Sequence, residues 1–217
     1  MHTRRSFVTA AVFATPAALL RPSLAIAGGQ APTLSPVQAQ MQAAMRHATE
    51  DLSATPPRTS QALSTLEATL SMWIAYAKET KRADTFAREL RRFSLADLNA
   101  KATQPVDPIV YRALVAGQYL LPIEEMLLVV GRARVRDERR RQAALQLVAF
   151  QQCSPETQED CRRIGNSKRA VGASLAAATV ACFLCPECIV TCGLAIELGV
   201  ILGGLELLEL AICGNCL

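Results

Sequence analysis

From residue 37 onward, apolar side chains recur every three or four positions, the period of a helix with one buried face. No stretch alternates as a half-buried strand would. The pattern predicts an all-α fold. A first helix covers 37–51 and stops at Pro56-Pro57. A second covers 60–81, starting near Thr59, with Leu63, Leu66, Leu70, Trp73, Ile74 and Ala77 on one face. Ser64 and Glu67 have capping-box spacing, but the apolar face begins earlier than that. Shorter helices follow at 83–93 and 95–101, with Ser94 as cap between them. Asp107-Pro108 marks a sharp start, an N-cap followed by proline at the first helical position. That helix carries Tyr111, Leu114, Val115, Gln118 and Tyr119, and Pro122 is expected to kink or end it. Another runs from Glu124 to Phe150.

The pattern changes character at Cys153. Ser154 and Pro155 open a short helix expected to end near Arg163, ahead of Gly165-Asn166-Ser167, and a Cys153–Cys161 disulfide would close a small loop there. Residues 168–184 and 189–212 form two apolar helices separated by Pro186-Glu187. The expectation is a hairpin with arms of about 25–35 Å at 1.5 Å per residue. Wherever the chain is helical, Cys182 and Cys185 share a face, as do Cys188 and Cys192. Gly193, Gly199, Gly203 and Gly204 would admit a close neighbour, Gly199 and Gly203 at the spacing familiar from packed apolar helices. Residues 189–212 are long enough for a membrane span. Three carboxylates, Glu197, Glu206 and Glu209, each cost roughly 2.5–3.5 kcal/mol in a bilayer, and Glu197 and Glu206 lie on opposite sides of the helix. Two readings fit this segment, a plain buried helical pair or a stapled hairpin that can later lie on or enter a bilayer. The organisation is therefore a helical domain at 37–152, behind a linker at 28–36, followed by a small disulfide-stapled apolar helical hairpin at 153–217.

Composition sharpens the division. All eight cysteines lie after residue 152: Cys153, Cys161, Cys182, Cys185, Cys188, Cys192, Cys213 and Cys216. Residues 28–169 hold 20 Lys and Arg against 15 Asp and Glu, whereas 170–217 hold no Lys or Arg and four Glu. Opposed charge suits contact between the basic middle region and the acidic C-terminal segment. The basic excess is small and lacks interleaved aromatics, which argues against nucleic acid as a partner. Residues 1–27 read as a targeting segment. Arg4 and Arg5 followed by Phe7 resemble the twin-arginine export motif, and an apolar run leads to Ala25-Ile26-Ala27 as the cleavage site. The twin-arginine translocase and a signal peptidase are the implied partners. The destination, periplasmic or extracellular, is oxidising, so the cysteines are expected to end as disulfides.

Residues that could carry chemistry are sparse. His47 is the only histidine beyond the targeting segment, and Glu124 and Glu125 point about 100° apart on a helix, a poor acid/base pair. No glycine-rich phosphate loop or histidine-based zinc motif is present. The chain reads as not an enzyme. Arg132, Arg134, Arg136, Arg139, Arg140 and Arg141 form a basic cluster interrupted by Asp137 and Glu138, which favours a solvated helix face with i,i+4 pairs over a phosphate or lipid-headgroup patch. One metal-bearing alternative stands. Cys182, Cys185, Cys188 and Cys192 reproduce the four-thiolate spacing of bacterial ferredoxins, which would imply an iron–sulfur cluster in an exported electron carrier. Gly193 stands where that run has proline, a second complete run is missing, and the flanks are long aliphatic helices.

A twin-arginine signal, a cysteine-free helical middle and an apolar cysteine-rich C-terminus resemble the precursors of the C-eight type halocins and their bacterial relatives. The Cys-x2-Cys and Cys-x3-Cys spacings and the Gly/Ala-rich stretches carry the likeness. The resemblance implies a disulfide-rich antimicrobial peptide at the C-terminus, aimed at target-cell membranes, with the N-terminal part as its immunity protein and no cofactor. It implies that all eight cysteines are half-cystines. Release of the peptide is expected within 162–169, where Arg162-Arg163 and Lys168-Arg169 flank Gly165-Asn166-Ser167. A third reading is an exported binding or scaffold protein without toxicity.

Overall fold

The computed structural model describes residues 34–102, 105–145, 154–185 and 188–214. The expected export residues Arg4, Arg5, Phe7, Ala25 and Ala27, together with Cys153 and Cys216, lie outside the described residues. Among the described residues every regular element is an α-helix: α1 (Pro36–Ser53), α2 (Thr59–Glu79), α3 (Arg82–Leu90), α4 (Leu95–Lys101), α5 (Pro108–Val115), α6 (Leu121–Leu145), α7 (Pro155–Leu184) and α8 (Ile189–Cys213).

Local chemistry sets half of the starts. Ser35 and Gln38 form a reciprocal capping box ahead of α1. Ser94 and Asp97 do the same for α4. Asp107 accepts from the backbone N–H groups of Ile109 and Val110 before Pro108 opens α5. The end of α5 differs from expectation. It stops at Val115, short of Gln118 and Tyr119, and Pro122 sits in the first turn of α6 instead of ending a helix. The cause is Gly117, whose φ of 76° turns the chain left-handed. Its N–H reaches the carbonyl of Leu114 while that of Gln118 reaches Ala113, the paired bonds of a glycine-terminated helix.

A second difference lies in α7, which runs unbroken for 30 residues through Gly165-Asn166-Ser167. Thr157, Asp160, Ile164, Ser167, Val171, Ser174, Ala178 and Ala181 are all buried, at alternating steps of three and four. Burial of that continuous seam outweighs the cost of about 1 kcal/mol for an interior glycine. Cys161 therefore stands in an intact helix and pairs with Cys213 across the hairpin, at Cα–Cα 5.8 Å, instead of with Cys153. The basic pairs at 162–163 and 168–169 likewise sit in hydrogen-bonded helix, which removes the reason to place proteolytic release there.

α7 and α8 form the hairpin. Buried positions in α8, at Thr191, Leu194, Leu198, Ile201, Leu205, Leu208 and Ile212, repeat the same three-four rhythm. The α7 seam is mostly small and the α8 seam mostly large, and the two helices pack on each other and on the rest of the bundle. Cys161–Cys213 closes the open end and Cys182–Cys192 closes the turn end. Lys168 pairs with Glu209 between them.

One apolar cluster runs from α1, α2 and α6 (Met41, Met45, Leu66, Trp73, Ile123, Met126) into the hairpin (Ile164, Val171, Leu198, Ile201, Leu205). Trp73 and Phe86 each meet the Tyr119 ring edge-on, at centroid distances of 6.0 and 5.8 Å. Three of the six arginines in the α6 cluster make tertiary pairs among the described residues. Arg132 and Arg136 hold buried Asp160 of α7 at 2.8 and 2.5 Å, and Arg134 holds Glu67 of α2 at 2.7 Å. Arg141–Asp137 is of the expected i,i+4 kind. Among the described residues no helix is long and apolar enough to cross a membrane. α8 has the length, but it carries Glu197, Glu206 and Glu209.

Candidate functional site

The chemically unusual place in this molecule is where α8 meets α1, α2 and α3. Glu197, in the middle of the most apolar helix, has no exposed surface. Its carboxylate accepts from Gln38 Nε2 at 3.2 Å, from Trp73 Nε1 at 3.1 Å and from Arg82 Nη2 at 2.8 Å. Three helices thus contribute one donor each. Gly193, one turn earlier on α8, makes room for them: a Cβ there would stand 3.6 Å from both Arg82 Nη1 and Gln38 Nε2, and its carbonyl accepts a further bond from Gln38.

Arg82 is fixed from its own side. It is the first residue of α3, placed by Lys81 at φ 50°, and its guanidinium lies 4.9 Å over the Tyr76 ring while donating to the Tyr76 hydroxyl. Arg82 Nε and the Tyr119 hydroxyl are buried with no partner among the described residues. Burial pushes the Tyr119 phenol well up, with the Glu197 charge adding to it, so Tyr119 remains neutral. Burial also raises Glu197 above its ordinary range, against the opposing pull of Arg82, Trp73 and Gln38. A buried ion pair of this kind specifies position more than it adds net stability.

Two further residues of the α3 segment reach the hairpin. Glu89 accepts from the backbone N–H and the hydroxyl of Thr191, in the first turn of α8. Arg92, just past the end of α3, sets Nη1 3.6 Å from Cys185 Sγ and 3.3 Å from Cys188 Sγ. α3 is a clamp along the first half of α8. Further along, Gly204 takes over. A Cβ at this position would meet Met45 Sδ at 3.0 Å and Leu66 at 3.8 Å. Gly199, which the glycine spacing singles out, has nothing within 4 Å of its Cβ position. Close approach is at Gly193 and Gly204, on one face with Glu197. We expect Gly204→Leu to overpack this seam and cost about 1–3 kcal/mol in urea unfolding, whereas Gly199→Leu is expected to cost less.

Six cysteines that the sequence singles out are described, in three disulfides: Cys161–Cys213, Cys182–Cys192 and Cys185–Cys188. The four residues with ferredoxin-like spacing, Cys182, Cys185, Cys188 and Cys192, are brought together at the hairpin turn as two S–S bonds. Cluster ligation requires them as thiolates. Glu124 and Glu125 go to separate partners, Lys78 at 2.6 Å and Arg163 at 3.1 Å. His47 is exposed beside Glu50. Sequence reasoning does not find the role of Gln38, Trp73, Arg82 and Glu89. The available signal is Glu197 itself, a carboxylate one turn after a glycine in the first half of an aliphatic helix. Compared with family models, curated proteins and solved structures, the chain matches none.

Three disulfides in one small hairpin fit an oxidising, exported setting.

Proposed function

We propose that the chain is an exported bacteriocin-like precursor, similar in plan to the halocin precursors. The hairpin α7–α8 is the part directed at the membranes of competing cells, and α1–α6 are its restraint and immunity partner. The twin-arginine translocase delivers the folded protein, a signal peptidase trims it, and it acts in the periplasm or outside the cell.

One observation carries this reading. All three described disulfides are internal to α7–α8, and none ties the hairpin to α1–α6. The hairpin is covalently self-contained, while its apolar α8 face is covered non-covalently through Glu197, Gly193 and Gly204. A single cut ahead of Ser154 would leave a stapled apolar pair free to part from its cover. The buried charge pair suits such a cover, because it fixes the docked register without adding much binding energy.

The test is to place a site-specific protease site ahead of Ser154 in the full-length oxidised protein. Dye leakage from phosphatidylglycerol-containing vesicles and growth of indicator strains are then followed before and after cleavage. The intact protein is expected to be silent, the separated hairpin to cause leakage and inhibition, and added α1–α6 fragment to suppress both. A separated hairpin that keeps its disulfides by mass yet neither leaks vesicles nor inhibits any strain overturns the proposal.

A further inference from the structure

The Cys185–Cys188 disulfide differs in kind from the other two among the described residues. Cys161–Cys213 spans 52 residues and Cys182–Cys192 spans 10, so each constrains the unfolded chain. Cys185–Cys188 spans three residues and is nested inside the loop that Cys182–Cys192 already closes. As a staple it is redundant. It has the Cys-x-x-Cys spacing of dithiol redox motifs. Among the described residues it is also the disulfide with a guanidinium against its sulfurs, Arg92 Nη1 at 3.3 Å from Cys188 and 3.6 Å from Cys185. Cys188 further occupies the N-cap of α8. A neighbouring cation and a helix start both favour thiolate over thiol, and a stabilised thiolate is the better leaving group.

We propose that Cys185–Cys188 is a dithiol–disulfide exchange site that accepts two electrons from an external dithiol, with Cys188 as the stabilised thiolate. A thiolate of the donor attacks Cys185 Sγ. The S–S bond breaks and its electron pair leaves on Cys188 Sγ, beside Arg92. The donor's second thiol, once deprotonated, attacks the donor sulfur of the mixed disulfide and expels Cys185, which takes up a proton. The donor ends as a disulfide, having lost two electrons and two protons. One proton resides on Cys185 and the other passes to solvent while Cys188 stays anionic. Cys185 and Cys188 are 3% and 5% exposed. That cover limits how fast a donor arrives; the equilibrium is set by the stability of the reduced pair. Glu89, held on Thr191 at the same helix end, opposes the thiolate and should act with the reverse sign to Arg92.

The experiment equilibrates the full-length oxidised protein with graded ratios of reduced to oxidised dithiothreitol, traps thiols with a maleimide and locates the label by peptide mapping. Cys185 and Cys188 are expected to be labelled together at ratios at least about tenfold less reducing than those needed for the other two pairs. Arg92→Gln should shift the midpoint of this pair toward stronger reductant, and Glu89→Gln toward weaker. Joint reduction of all three disulfides, or Cys185–Cys188 reduced last, overturns the proposal on wild-type protein alone. A folded Arg92→Gln variant with an unchanged midpoint overturns it as well.

Discussion

Arg82→Met lowers stability at pH 7 by about 3–5 kcal/mol, the range for stranding one member of a buried ion pair. The expectation follows from the enclosure of both partners. Glu197 has no exposed surface, the Arg82 side chain is 12% exposed, and they meet at 2.8 Å. Without Arg82 the carboxylate keeps Trp73 and Gln38 as donors but loses the only counter-charge in direct contact among the described residues. The variant should also be pH-dependent. Burial already raises Glu197 above its ordinary 4.5, so the folded state holds this proton more tightly than the unfolded chain does. The contribution of such a group is fullest below the ordinary value and fades as pH rises through the raised one. Removing Arg82 raises it further, and the penalty measured by urea unfolding should shrink between pH 7 and about pH 5. The double variant Arg82→Met/Glu197→Gln should recover more than half of the loss at pH 7, since the amide oxygen still accepts from Trp73 and no charge is stranded. A pH-independent penalty, or no recovery in the double variant, would contradict the anchor.

Replacing Cys161 and Cys213 together by Ser is expected to cost about 4 kcal/mol by the chain-entropy relation for a loop of this length. The loss should concentrate at the open end of the hairpin. Amide exchange in the first turns of α7 and the last turns of α8 should quicken, while the turn end, held by Cys182–Cys192, stays protected. Uniform loss of protection along both helices would mean the bond acts on the whole fold instead. The same variant in the cleavage assay asks whether membrane action needs the closed hairpin.

The signals that sequence reasoning reads well in this protein are local ones. Ser94, Asp107-Pro108 and Ser154-Pro155 announce helix starts within three or four residues, and the structure places α4, α5 and α7 there. The hairpin of two apolar helices turning near Pro186 is equally plain. What fails is wherever a distant surface decides. Gly165-Asn166-Ser167 has the chemistry of a break, yet the α7 seam continues through it because distant helices, α8 and α6 among them, supply the burial. The partner of Cys161 depends on that continuity. Gln38, Trp73, Arg82 and Glu197 come from four helices and share no spacing, so no periodicity could group them. Glu197 is legible as costly in a membrane, but the same physics also marks it as a residue needing protein partners, and that second reading requires the fold.

Everything functional rests on sulfurs bonded to one another inside the hairpin and nowhere else. Non-reducing peptide mapping of the exported protein, with its visible absorption spectrum, tests this most directly. The account predicts Cys161–Cys213, Cys182–Cys192 and Cys185–Cys188 linked peptides and a colourless protein. Free thiols at Cys182 and Cys192, an iron–sulfur absorption band, or linked peptides that pair these six cysteines differently would contradict it.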